Sequence, residues 1–332
     1  MTPRLVHKSD PGEVYLTRWY RTGPDAFRIT ARWPESHAFY RVEPCGRPLL
    51  SCDPLLLCET VRQTFPLLCH AAYDVPFGHQ LIWDRFAYRI EAPATIRQPL
   101  DPDVTLHVEC HDLAQRGSRL SALSMRLLVT RGGRRVATAE TRFAVQAQTV
   151  YRRLRGERSD AARAMAGAPT APEPIAHRLT RRLRPEDVVL SPPGRETPGQ
   201  GTSGQGTSGR ETSDRETPAT GGTAWLLRVD TSHPVLFDHA VDHVPGMLLI
   251  EAAHQAAHAA GDGAHTEIRG VTCSFFRYVE LDSPCLISAT PPVPAGDGLH
   301  GVRVAATQDG QVRFSATVTY ADTGRPAGHT AA

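Results

Sequence analysis

The sequence predicts an α+β fold built twice over, with a curled antiparallel sheet wrapped around one long central helix in each half. Three observations point to it. A long apolar pattern of helical type occurs once per half, as CDPLLLCETVRQTFPLLCHAAY (52–73) and VPGMLLIEAAHQAAHAAG (244–261). Runs of alternating strand character surround each pattern. Between the two sets lies SPPGRETPGQGTSGQGTSGRETSDRETPATGG (191–222), which is Gly, Thr, Ser, Pro and charge with almost nothing to bury and reads as a disordered tether. One helix per several strands covers the apolar faces of both only if the sheet curls around it. That arrangement also explains a helix apolar on nearly every side.

The elements follow in order. In the first half the strand-like runs are EVYLTRW, FRITARW, VTLHVEC, LSALSMRLLVT and RRVATAETRFAV; in the second they are WLLRVD, IRGVTCSFF, CLISAT, LHGVRVAAT and VRFSATVTY. Gly-Gly at 132–133 and Asp-Gly at 309–310 are hairpin signals between such runs. Aligning Glu59 with Glu251 brings Gln63 onto Gln255 and sets WPESHAFY (33–40) where FDHAVDH (237–243) sits, so the chain reads as a divergent internal duplication. Residues 152–190 are Arg/Ala/Pro-rich. The expected division is therefore 1–151 for the first repeat, 152–222 for the linker with its insert, and 223–332 for the second repeat. A chain of 332 residues with 40% hydrophobic composition can fill two ordinary cores.

Several function classes are excluded by composition. Net charge is +2 with 22% charged residues, and the basic residues interleave with acids outside 152–158 and 178–184, unlike a dedicated nucleic-acid binder. The seven Cys (45, 52, 58, 69, 110, 273, 285) are scattered without a C-x-x-C pair and read as reduced core thiols. MTPRLVHKSD has no apolar leader core, and no stretch approaches the roughly 18 uncharged apolar residues of a membrane span. A cytoplasmic location without membrane contact is expected.

The residues also carry a family resemblance. His239 to Ala252, H-x-x-x-H-V-P-G-M-L-L-I-E-A, resembles the His loop and helix start of hotdog-fold 3-hydroxyacyl-carrier-protein dehydratases. More closely, VHK with EVYLTRW, then ARWPESHAFY, DPLLLCETVRQ, VPFGHQ and FDHAVDHVPGMLLIEAAHQAA, is similar to the A-factor biosynthesis family, tandem-hotdog proteins that make gamma-butyrolactone autoregulators. The match runs through both halves in order but not through 152–222. The resemblance implies a double hotdog fold and an acyltransferase. A 3-oxoacyl group would pass from an acyl carrier protein thioester to the hydroxyl of dihydroxyacetone phosphate, and the ester would close to a butenolide. It also implies no cofactor, a role in signalling that controls secondary metabolism, and a monomer containing its own pseudo-dimer, or a dimer. Finally, it implies that the His and acid of each site come from different repeats, pairing His37 with Glu251 and His239 with Glu59.

Read for chemistry, Glu59 and Glu251 sit mid-helix among Leu, Ile and Val, where desolvation should raise a carboxyl pKa and make a proton carrier. The Pro245-Gly246 step starts a helix whose free N–H groups can face an anion, so Gly246 is the oxyanion candidate. Arg62, one turn from Glu59, is placed for a bidentate grip on a phosphate, or else forms a plain ion pair with Glu59. Gln63 and Gln255 either contact substrate or satisfy buried backbone. His239 with His243, and His254 with His258, have the i,i+4 spacing of zinc ligands, yet no zincin Glu and no acidic or Cys ligand cluster accompanies them, so no metal is expected.

Two positions depart from the family pattern. His254 stands where most members carry Arg, which weakens or retunes that site's grip on substrate. Pro66 lies inside the first helix pattern and removes the N–H that would bond the Arg62 carbonyl, so a bend is expected one turn beyond Glu59. The alternative functions are a hotdog 3-hydroxyacyl-thioester dehydratase or thioesterase using the same His and Glu, and a non-catalytic regulatory relative.

Overall fold

The computed structural model describes residues 1–34, 36–40, 53–91, 103–193, 222–261, 263 and 266–322. Cys45, Cys52 and nearly all of the 191–222 insert lie outside them. The first half runs β1 (Leu16–Arg21), β2 (Ala26–Arg32), α1 (Pro54–Ala72), β3 (Gln80–Ile90), β4 (Asp103–Arg116), β5 (Arg119–Arg131) and β6 (Arg134–Gln146). Two short helices follow, α2 (Gln148–Arg155) and α3 (Ala161–Ala166). The second half holds β7 (Leu190–Ser191), β8 (Thr223–Leu227), α4 (Gly246–Ala260), β9 (Thr266–Phe275), β10 (Leu286–Ala289), β11 (Val293–Pro294), β12 (Leu299–Gln308) and β13 (Gln311–Asp322).

All strands join one antiparallel sheet in the order β1-β2-β4-β5-β6-β3-β9-β13-β12-β10-β8-β7, with β11 paired to β12. The order mirrors itself about the β3–β9 seam: β6 matches β13, β5 matches β12, β4 matches β10, β2 matches β8 and β1 matches β7. This is the tandem architecture that the repeated pattern predicts. At the seam Phe86 pairs with Cys273 and Tyr88 with Val271. Gly270 pairs with Arg89 there because a Cβ at this position would lie 2.7 Å from the Tyr88 carbonyl oxygen. Both hairpin signals fold as expected, with positive φ at Gly132, Gly133, Asp309 and Gly310.

Two features differ from expectation. Leu190 and Ser191, at the junction of the Arg/Ala/Pro-rich stretch and the insert, form a strand and pair with Leu227 and Leu226. The seam strand β3 was not among the expected strands: a bulge between Trp83 and Arg85 breaks its alternation.

The two central helices start differently. Asp53 caps α1 by accepting the Leu55 N–H at 2.9 Å, with Pro54 in the first turn. α4 follows Pro245 with no side-chain cap. The apolar face of α1 is packed all round, and the helix runs unbroken through Pro66 to Ala72. In the stretch from Leu55 to Cys69 only Arg62 is less than fully buried, whereas α4 is buried without a break from Met247 to His258. Cys58, Cys69, Cys110, Cys273 and Cys285 are buried in the core. No helix among the described residues is long and apolar enough to cross a membrane.

Candidate active site

The duplication extends to single hydrogen bonds. Gln63 donates to the Glu13 carbonyl at 2.6 Å and accepts the Tyr15 N–H at 3.0 Å; Gln255 donates to the Asp187 carbonyl and accepts the Val189 N–H, both at 2.9 Å. Both glutamines therefore serve buried backbone. Each also donates to the glutamate one turn back, Gln63 to Glu59 at 3.0 Å and Gln255 to Glu251 at 2.5 Å. Matching Glu13 with Asp187 and Tyr15 with Val189 places Lys8 opposite Arg182 in sequence.

That correspondence separates the two helices' sites. Around Glu59, Arg62 forms a bidentate pair at 2.8 and 2.7 Å and also donates to the Val6 carbonyl, while Lys8 Nζ lies 3.8 Å away. Around Glu251, the guanidinium is supplied by Arg182 instead. Its Nε and Nη2 reach the two carboxylate oxygens at 2.6 Å each, and its Nη1 reaches Asp53 at 2.6 Å and the Phe39 carbonyl at 2.7 Å. Every arm of Arg182 is thereby engaged, and it is 7% exposed, so nothing is left to hold a ligand. His254 is buried and bonded to the Tyr88 hydroxyl at 2.9 Å.

Electrostatics differ accordingly. Burial pushes the Glu59 pKa up, but the Arg62 and Lys8 charges and the hydrogen bonds from Arg62 and Gln63 prevail and hold it down at about 2. The expectation of a raised pKa is thus reversed at Glu59: it is a firmly ionised anchor and a poor base. Burial raises Glu251 against the pull of Arg182, and Asp53, sharing that guanidinium, adds to the rise. Burial also lowers His254 to about 4, so it is neutral at pH 7.

A cavity of about 1150 Å³ opens on the Glu59 side. Its lining includes Lys8, Glu59, Arg62, Asp238 and His239, and continues one turn along α1 through Phe65 and Pro66 to Trp83, Phe143, Met247 and Phe275. Phe65 stacks on Phe143 at 4.8 Å, and Trp83 stacks on Phe275 at 5.1 Å. Gly246 lines the same cavity. A Cβ there would lie 2.8 Å from the Trp83 ring. The N–H groups of Gly246 and Met247 have no partner among the described residues, since Leu248 and Leu249 are the first to bond back, to Pro245.

The histidines occupy distinct settings. His37 Nδ1 accepts the Phe39 and Tyr40 N–H groups, and its Nε2 is 2.8 Å from Glu13. Its structural duplicate is His233, whose Nδ1 accepts the Val235 and Leu236 N–H groups and whose Nε2 lies 3.4 Å from Asp187. The true register therefore matches Ser36-His37 with Ser232-His233, and the earlier alignment with FDHAVDH is displaced. His239 shares the cavity with Glu59, half-exposed, its Nδ1 3.3 Å from Asp238. His258 bonds to Thr266. Among the described residues no three His, Cys, Asp or Glu side chains converge to hold a metal ion. Sequence reading missed Lys8, Arg182 and Asp53, although the constant offset between VHK and TRR around the duplicated segments carried the first two.

One antiparallel sheet of two mirrored halves around two central helices, with an acid and an arginine facing a lined cavity, defines a tandem hotdog protein. A model of the A-factor biosynthesis hotdog domain matches residues 1–147 and 208–323, and the chain belongs to that family. A 2-oxo-3-(phosphooxy)propyl 3-oxoalkanoate synthase of Streptomyces virginiae is 38% identical over 317 residues, 95% of either chain. One from Streptomyces coelicolor is 37% identical over 319 residues, 95% of this chain and 90% of its own. The expectation of a transferase-type enzyme stands on these relatives. A crystal structure described as an oleoyl thioesterase from Lactobacillus plantarum superposes with a TM-score of 0.50 over 90% of this chain and 97% of that one; at 13% identity the likeness is one of fold alone.

Proposed function

We propose that the chain transfers a 3-oxoacyl group from an acyl carrier protein thioester to the hydroxyl of dihydroxyacetone phosphate, in the cytoplasm, as a step in making a gamma-butyrolactone signal; closure of the ester to a butenolide follows. The observation that carries this reading is one cavity holding two cations, Lys8 and Arg62, next to an aromatic-lined arm. A phosphate dianion suits the first, and an acyl chain the second. Glu59 keeps Lys8 and Arg62 in place while the cavity is empty. The unbonded N–H groups at Gly246 and Met247 are donors for the oxyanion of the tetrahedral intermediate. His239 stands at the same cavity, where it can contact the acceptor.

Mass spectrometry of the purified protein with a 3-oxoacyl-carrier-protein thioester and dihydroxyacetone phosphate tests the reading. A phosphorylated ester is expected from the wild type and should fall at least tenfold in Arg62→Ala. Loss of water from a 3-hydroxyacyl thioester, undiminished in Arg62→Ala, would replace the acyltransferase by a dehydratase, which has no use for a phosphate site.

A further inference from the structure

Acyl transfer to an alcohol needs a group that takes the hydroxyl proton and returns it to the leaving sulfur. Glu59 and Glu251 are each clamped by a guanidinium. His37 has neither ring nitrogen to spare: Nδ1 accepts two backbone N–H groups and Nε2 is bound to Glu13. The cavity, however, is also lined by His243, three residues before Gly246, which these roles leave unused.

Its setting is built. His243 Nδ1 is 2.7 Å from Asp242 Oδ1, so the carboxylate accepts an Nδ1–H and leaves the lone pair on Nε2. Nε2 has no hydrogen-bond partner among the described residues, and the side chain is 30% exposed on the cavity. Asp242 is buried and fixed in turn. Its Oδ2 accepts the Tyr151 hydroxyl at 2.6 Å, and its carbonyl accepts Arg155, which is itself paired with Glu280 at 2.6 and 2.9 Å. Tyr278 holds the imidazole from the side at a ring distance of 4.6 Å. This is the arrangement of a base with its orienting carboxylate. Of the cavity's other histidines, His7 is bonded through Nε2 to His70 at 2.9 Å, His79 has no orienting carboxylate among the described residues, and His239 is half-exposed and sits 3.3 Å from a carboxylate that it shares with the Ser9 and Asp10 N–H groups.

We propose that His243 moves the proton in acyl transfer and that Asp242 positions it; the proposal rests on the acyltransferase reading above. As the acceptor O–H breaks, its proton goes to His243 Nε2, and the oxygen's electron pair forms the bond to the thioester carbon. The carbonyl pair moves onto oxygen. When that pair returns, the C–S bond breaks, its electrons go to sulfur, and sulfur takes the proton from Nε2. The products are ester, thiol and neutral imidazole.

The test is steady-state kinetics of ester formation by the full chain with His243→Ala, His243→Gln and Asp242→Asn, with melting curves to show that each is folded. His243→Ala and His243→Gln should lower kcat by about 10²–10⁴-fold with KM for dihydroxyacetone phosphate little changed, and added imidazole should restore part of the activity of His243→Ala alone. Asp242→Asn should lower kcat less. Folded His243 variants with kcat within about threefold of wild type, or loss confined to His239→Ala, would overturn the proposal while leaving the function intact. A wild type that makes no ester instead overturns the function and the proposal with it.

Discussion

At the scale of residues, the decisive contrast is between two glutamates that the sequence presents as equivalents. Glu59 faces an open cavity with Arg62 and Lys8, and Glu251 is sealed under Arg182. Alignment of the helices makes Glu59 and Glu251 visible, but the guanidinium at Glu251 comes from a loop 69 residues away in sequence. Helical periodicity carries no information about such a contact. At position 254, where the family resemblance leads one to expect arginine, His254 leaves Glu251 to Arg182, which grips the protein carboxylates of Glu251 and Asp53. A pH prediction follows for Glu59. Its folded pKa of about 2 lies below the ordinary 4.5, so its contribution is complete above pH 4.5 and disappears as pH falls through 2. That contribution is on the order of 3 kcal/mol. Urea denaturation between pH 6 and pH 2 should show a shallower loss of stability in Glu59→Gln than in the wild type; parallel curves would mean that Glu59 titrates normally.

At the scale of elements, the long helices and the hairpins were legible because period and turn chemistry are local signals. β3 was not, because its bulge places Asp84 and Arg85 where alternation demands an apolar residue. The start of α4 is the element feature closest to the chemistry. Gly246 is required there by the approach of Trp83 and Phe275, not by its φ. Gly246→Ala should therefore cost about 1–3 kcal/mol of stability through overpacking and reduce ester formation by displacing the Trp83–Phe275 stack. Thermal melts beside rate measurements check this, and an unchanged melting temperature would show that the aromatic pair yields freely.

At the scale of the molecule, the tandem architecture was readable from the repeat, because both helix patterns carry an acid with a glutamine four residues on. Residues 177–191 look like linker by composition, yet they fold as the counterpart of the chain's first segment, and we propose that the second repeat begins there. Mirror symmetry about β3–β9 also predicts that neither half is complete alone. Expressed by itself, 1–147 would expose the whole inner edge of β3, with Phe86 and Tyr88 beside it. It should pair with itself or precipitate, and size-exclusion chromatography showing a stable monomer would contradict this.

We propose that one site works, the cavity at Glu59, and that its duplicate at Glu251 is closed. The most direct measurement compares kcat/KM for dihydroxyacetone phosphate in Arg62→Ala and His254→Gln, the matching positions of α1 and α4. Loss of a bidentate charged grip predicts a fall of about 10–100-fold for Arg62→Ala and a change within about threefold for His254→Gln. The reverse pattern, or equal losses at both positions, would contradict the account.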